Sequence, residues 1–215
     1  MNTHIEQLVR IPVDDVYIEG MLEMPANAQG IVLFAHGSGS SRHSPRNNYV
    51  ARVLREKGIG TLLLDLLTLS EDMDYQTRSN IPLLTHRLRV ATRWVKQHQP
   101  TRHLPIGYFG ASTGAAAALQ AAAALGEGVC AVVSRGGRPD LAGSHELMRV
   151  KSPTLLLVGG RDDEVIELNR EAHEWLPCTK ELSIIPGATH LFEETGTLEE
   201  VARQATAWFN QYLKT

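Results

Sequence analysis

The sequence is short of cysteine. Cys130 and Cys178 are the only two in 215 residues, and neither belongs to a C-x-x-C pair. Cys130 lies in an apolar run and Cys178 follows Pro177, so a disulfide-built scaffold is excluded; both thiols are expected to be buried and reduced, in the cytoplasm. Long apolar runs are lacking too. Nothing approaches the roughly 20 consecutive residues that a spanning helix needs, and residues 1–10 are charged and polar where a secretory leader would be apolar. Excess charge of either sign is missing. The 21 Lys and Arg against 24 Asp and Glu leave a net charge of −3, which gives nucleic acid or an anionic membrane no electrostatic footing as a partner. Nine histidines are present, but no H-E-x-x-H or comparable ligand spacing, so neither a metal nor a cofactor is expected. No repeat, biased linker or boundary interrupts the chain, and its length suits one α/β domain over residues 1–215.

What is present is the balance of an ordinary globular protein, 43% hydrophobic and 21% charged. Val9, Ile11 and Val13 alternate with polar neighbours, as do residues 17–24, and Asp14-Asp15 lies between them. That pattern predicts an antiparallel hairpin at one edge of a sheet. From residue 31 the pattern changes. Residues 31–35 are apolar without alternation, the mark of a strand covered on both faces. Similar runs recur at 59–67, 104–109, 129–133, 154–158 and 182–185, with helical patterns between or after them at 49–57, 83–97, 113–125, 165–176 and 198–213. Thr197 and Glu200 are spaced as a capping box for the last helix. Alternating strands and helices predict an α/β fold with a doubly wound, mostly parallel sheet carrying the N-terminal antiparallel hairpin. Ligands of such sheets bind beyond the carboxyl ends of the strands. Residues 139–153 are too few for a large helical lid, so the site should be open, with the irregular stretch 66–80 as part of its wall.

One stretch organises the rest: Gly110-Ala111-Ser112-Thr113-Gly114, between the run at 104–109 and the alanine-rich run at 115–124. By composition a G-x-S-x-G pentapeptide arises by chance about once in ten to twenty chains of this length. Its place between strand and helix therefore matters more than the motif. There it reads as a nucleophile elbow, with glycines admitting a turn too tight for side chains and Ser112 raised above the sheet. The plainer alternative is a strand-to-helix turn with an incidental serine.

Reactive side chains follow the other runs as well. His36-Gly37-Ser38-Gly39-Ser40-Ser41 comes after 31–35, Gly159-Gly160-Arg161-Asp162-Asp163-Glu164-Val165 after 154–158, and Gly187-Ala188-Thr189-His190 after the last run. Serine, acid and histidine thus fall at one sheet edge in the chain order that later loops would use to complete an elbow. Ser112 needs a base, and the neutral imidazole of His190 is suited to that at cellular pH. Asp162 is assigned to hold the ring's tautomer and stabilise the imidazolium. The backbone N–H groups of Ser38 and Thr113 are candidates for an oxyanion hole.

These four motifs, Gly110 to Gly114, His36-Gly37-Ser38-Gly39, Gly159 to Val165 and Pro186-Gly187-Ala188-Thr189-His190-Leu191-Phe192, resemble those of an α/β-hydrolase, within the small dienelactone-hydrolase-like group. The resemblance implies a Ser-His-Asp hydrolase without metal or cofactor, acting on small acyl substrates, and it selects Asp162 over Asp163 as the acid. It also implies a structural role for His36. Dienelactone hydrolases proper have cysteine at the elbow; Ser112 here favours carboxylic esters, lactones among them. A thioesterase, peptidase or acyltransferase on the same fold is an alternative, as is a non-catalytic binding protein.

The glycine-serine loop at 37–41 lacks the lysine of a nucleotide cradle, since Arg42 follows Ser41. Arg135 and Arg138 follow the run at 129–133, at the edge of the sheet that carries Ser112, and Arg42 and Arg78 lie in loops nearby. Guanidinium groups there suit an anionic acyl substrate; the competing reading pairs Arg135 with a local acid such as Asp140. The sequence does not indicate an oligomeric state.

Overall fold

The two alternating segments at the start of the chain pair as expected. Strand β1 (Ile5–Val13) runs antiparallel to β2 (Val16–Met24), with Val13 opposite Val16. The turn between them places Asp14 at φ +51°, a conformation that aspartate tolerates better than most residues. Val9, Ile11, Val13, Ile18 and Leu22 face inward and are buried. The computed structural model describes residues 4–214; residues 1–3 of the polar N-terminal stretch and residue 215 lie outside the described residues.

Strand β2 continues antiparallel onto β4 (Gly60–Asp65), and from there the sheet is parallel through β3 (Ile31–Ala35), β5 (Ile106–Ala111), β6 (Ala131–Arg135), β7 (Thr154–Gly159) and β8 (Lys180–Ile185). The spatial order is β1-β2-β4-β3-β5-β6-β7-β8. Strands β3, β5, β6 and β7 are buried along their whole length, because helices cover both faces. On one side lie α1 (Pro45–Glu56) and α8 (Thr197–Tyr212), with Val50, Leu54, Val201 and Phe209 against Phe34, Phe109 and Val133. On the other lie α4 (Ile81–Gln97), α5 (Thr113–Leu125) and α7 (Asp163–Trp175). Each fully buried leucine of these layers, such as Leu33, Leu62 or Leu64, contributes roughly 1.5–3 kcal/mol. The alanines of α5 at 115–118 and 121–123 are all buried, and their small side chains bring the helix close to the strands beneath it.

Three departures from the expected pattern have physical reasons. Strand β8 is an edge strand, and Ile184 is exposed because no strand follows it in the sheet. The capping box at Thr197 does not form. Gly196, at φ +83°, is the N-cap of α8, so Thr197 falls inside the helix and its hydroxyl donates to the Glu194 carbonyl at 2.7 Å, while Glu200 pairs with Arg203. The stretch 66–80 is more ordered than expected. It holds two single turns, α2 (Leu69–Asp72) and α3 (Tyr75–Arg78), and Glu71 anchors the first by caging the Arg87 guanidinium of α4 while closing a capping box with Thr68. A third single turn, α6 (Ser144–Leu147), is all the helix that stands between residue 143 and β7, so no large lid is inserted there. The two cysteines are unpaired and half-buried rather than buried. No helix of the described residues is long and apolar enough to cross a membrane.

Candidate active site

The parallel strands deliver their loops to one rim, and the tightest of these is the one after β5. Ser112 sits at φ +51°, ψ −123° between β5 and α5, a strained conformation that a non-glycine residue holds only when its surroundings enforce it. The surroundings do so through two close approaches. A Cβ at Gly110 would stand 2.5 Å from Cα of Ala115, and one at Gly114 would stand 2.2 Å from the Ala35 carbonyl oxygen. The backbone is fastened as well: the Ser112 carbonyl accepts from the N–H groups of Ala115 at 3.1 Å and Arg138 at 3.0 Å. Among the described residues the Ser112 hydroxyl itself makes no hydrogen bond.

The loops after β7 and β8 bring the acid to the histidine. His190 Nδ1 donates to Asp162 Oδ2 at 2.7 Å. Asp162 is the N-cap residue of α7, yet its side chain makes no cap bond; the carboxylate is turned to the imidazole. An ionised carboxylate only accepts, so in the neutral imidazole the proton rests on Nδ1 and Nε2 carries the lone pair. The ring lies over the end of β6: a Cβ at Gly136 would be 3.6 Å from His190 Cε1 and 3.2 Å from its carbonyl oxygen. Two features hold this loop. Phe192 is buried at φ +54°. Glu194 accepts from the Thr189 N–H at 3.1 Å and from the Thr189 hydroxyl, and that hydroxyl chiefly holds its carboxyl below the usual range. Glu194 lies outside the residues that the sequence motifs single out. The signal was a threonine just before the histidine with an acid five residues on, within reach of a turn.

On the opposite side, the loop after β3 passes close to the elbow. Gly37 has no room for a side chain, since a Cβ there would be 2.9 Å from Ser112 Cβ. His36 is buried and doubly engaged: Nδ1 donates to the Gly37 carbonyl at 2.9 Å and Nε2 accepts from the Leu66 N–H at 3.2 Å. With both nitrogens occupied it has no lone pair to serve as a base. The Ser38 N–H donates to the Thr113 hydroxyl at 3.0 Å, so these two residues meet across the elbow. Thr113 opens α5, where backbone N–H groups have no partner within the helix.

A family model described as an alpha/beta hydrolase domain matches residues 28–212. The chain belongs to the α/β-hydrolase family. The chain is 55% identical to a dienelactone hydrolase of Anabaena variabilis of known structure, with a TM-score of 0.94 over 98% of this chain and 99% of that one. An esterase of Pyrococcus furiosus shares the fold at 19% identity, with a TM-score of 0.76 over 98% of this chain and 94% of the other. Two Mycobacterium tuberculosis proteins, of strains CDC 1551 and H37Rv, carry the provisional name phosphoribosyl transferase and are 53% identical over 208 residues. The chain spans about half the length of these relatives, 47%, against 97% of its own.

Among the described residues, the arginines expected near the site differ in whether an acid holds them. Arg138 is held by Asp140 through two bonds, 2.9 and 2.8 Å; Arg42 by Asp65 and by Glu19 at 3.1 Å; Arg78 by Asp72 at 3.2 Å. Asp140 thus pairs with Arg138, not with Arg135. The Arg135 guanidinium, in a residue 7% exposed, has Asn47 as its one hydrogen-bond partner among the described residues, at 3.3 Å. A cleft of about 650 Å³ lies beside the loop after β3, lined by His36, Ser40, Ser41, Leu67 and Leu69 among others. Part of the 66–80 stretch forms its wall. None of Ser112, Asp162 and His190 lines it, so it flanks the elbow and does not cover the hydroxyl. No group of three or more His, Cys, Asp or Glu side chains among the described residues is placed to hold a metal ion.

Proposed function

We propose that this hydrolase cleaves carboxylic esters, lactones included, through an acyl-enzyme on Ser112. The observation that carries the reading is the Asp162 carboxylate on His190 Nδ1, at the rim to which the strained elbow raises Ser112. In this reading the hydroxyl swings onto His190 Nε2, a bond that in enzymes without ligand is often long and tightens with substrate. The Ser112 oxygen adds to the ester carbonyl as its proton passes to Nε2. The N–H groups of Ser38 and Thr113 meet the developing oxyanion, each worth roughly 2.7–4 kcal/mol. Collapse of the intermediate expels the alcohol, which takes the proton back from the imidazolium; water then repeats the sequence and frees the acid. No step calls for a metal or cofactor.

The name of the Anabaena relative and the esterase fold of the Pyrococcus protein support an ester or lactone as substrate. A fluorophosphonate probe tests the assignment. Wild type should be labelled and Ser112→Ala should not; labelling that survives the substitution, or an inert wild type, would leave the binding-protein alternative.

A further inference from the structure

Arg135 ends β6 inside the protein, and no carboxylate reaches it among the described residues. Its Nε is buried without a partner, and among the described residues the one hydrogen bond of the side chain runs from Nη2 to Asn47 Oδ1. The charge acting on it is another cation, Arg46, whose Nε is likewise buried and unpaired. Burial first, and Arg46 second, bring the Arg135 pKa down to about 10, which still leaves it charged at neutral pH. A buried cation without a counterion is costly. Yet the chain has 24 acidic residues, and Arg138, three positions on, has found one of them. The balancing charge is therefore to be sought outside the chain.

The place is suited to a substrate. The Arg135 carbonyl accepts the Ser112 N–H at 3.4 Å, so the elbow and the guanidinium share a strand end. The guanidinium carbon lies 5.9 Å from the centre of the Phe192 ring, two residues beyond His190. Arg46 and Asn47 are in the first turn of α1, directly after the loop that carries Ser38, and the positive end of a twelve-residue helix adds to the field there. Resting on the esterase reading above, we propose that Arg135 and Arg46 form a subsite for an anionic group, a carboxylate or a phosphate, carried by the ester that Ser112 attacks. A guanidinium fork binds either group through paired N–H bonds.

Matched nitrophenyl esters test this, one with a neutral acyl chain, one ending in carboxylate and one ending in phosphate. Wild type should prefer one anionic ester through KM, and which one identifies the group. The ratio of its kcat/KM to that of the neutral ester should fall roughly ten- to hundredfold in Arg135→Gln. The fall should be smaller in Arg135→Lys, which keeps the charge and loses the fork. Arg46→Gln, at a half-buried helix position, should lower the same ratio and guards against a misfolded Arg135 variant. Succinate or inorganic phosphate should compete with the favoured ester. A wild type that prefers the neutral ester, or variants that lose equally on all three, overturn the subsite and leave the esterase reading standing. If no ester is turned over and the fluorophosphonate fails, the esterase reading falls. The anion site is then upheld if succinate or phosphate raises the melting temperature of wild type but not of Arg135→Gln, and is overturned if it does not.

Discussion

Replacing Asp162 by Asn should separate activity from stability. The carboxylate has His190 Nδ1 as its hydrogen-bond partner, at 2.7 Å, and makes no cap bond to the helix it precedes. It can only accept, and so it fixes the ring proton on Nδ1. An amide of the same shape can present its NH₂ group instead; the ring then changes tautomer, Nε2 becomes a donor and the base is gone. For such a change kcat is expected to fall about 10⁴-fold, or roughly 5.4 kcal/mol at 1.36 kcal/mol per tenfold. Folding should hardly respond. Asparagine is as good an N-cap as aspartate, and one negative charge fewer at the start of α7 costs about 0.3–1 kcal/mol, or roughly 1–4 °C in a chain of this size. The assay is kcat on a nitrophenyl ester beside thermal denaturation by circular dichroism. Asp163→Asn is the control, since Asp163 is the exposed first residue of α7; it should lose the same small stability and turn over ester about as wild type does. Less than a tenfold loss in Asp162→Asn, or an equal loss in Asp163→Asn, would refute the assignment of the acid.

Glu71→Gln should loosen the 66–80 wall by about 3 kcal/mol, because Arg87, 4% exposed, loses its countercharge; limited proteolysis within this stretch reads it out. The hydrogen bonds from Arg87 are the main reason that Glu71 titrates below its ordinary 4.5. A carboxylate so depressed gives its full stabilisation above pH 4.5 and loses it as the pH falls through the lowered value, so the wall should become protease-sensitive in acid in wild type and already be so at neutral pH in the variant. Glu194→Ala should free the His190 loop and lower kcat roughly ten- to hundredfold, the scale of a misplaced catalytic group, while hydrogen exchange at Thr189 rises; unchanged exchange would count against the brace. Tyr108 and Thr92 are buried together, with the phenol oxygen 2.6 Å from Thr92 Oγ1, which also donates to the Leu88 carbonyl at 2.7 Å. Thr92→Val strands the phenol and should cost about 1–3 kcal/mol in urea denaturation. Tyr108→Phe leaves the threonine its bond to Leu88 and should cost less.

The strand framework and the elbow were legible because both are local. Uninterrupted apolar runs report burial on two faces, and Gly110 and Gly114 report close approaches that no side chain survives. The meeting of His190 with Asp162 was legible for another reason: in a parallel sheet every strand exit lies on one rim, so chain order alone groups the loops. What stayed hidden depends on contacts across the chain. Nothing in the spacing tells that Asp140 chooses Arg138 over Arg135, that Glu194 turns back to Thr189, or that Glu71 reaches 16 positions along to Arg87. The Thr197 capping box failed because a glycine before it took the cap position, a competition between neighbours that a two-residue signature does not record.

The Thr113 hydroxyl resting on the Ser38 N–H gives that donor a partner within the chain. As the oxyanion donor proposed above, the Ser38 N–H would otherwise face solvent between turnovers. Here a neighbour's oxygen keeps that donor's direction set and gives way when a stronger acceptor arrives. Shortening Thr113 to alanine should therefore leave this exposed N–H to water, which an incoming ester has to displace.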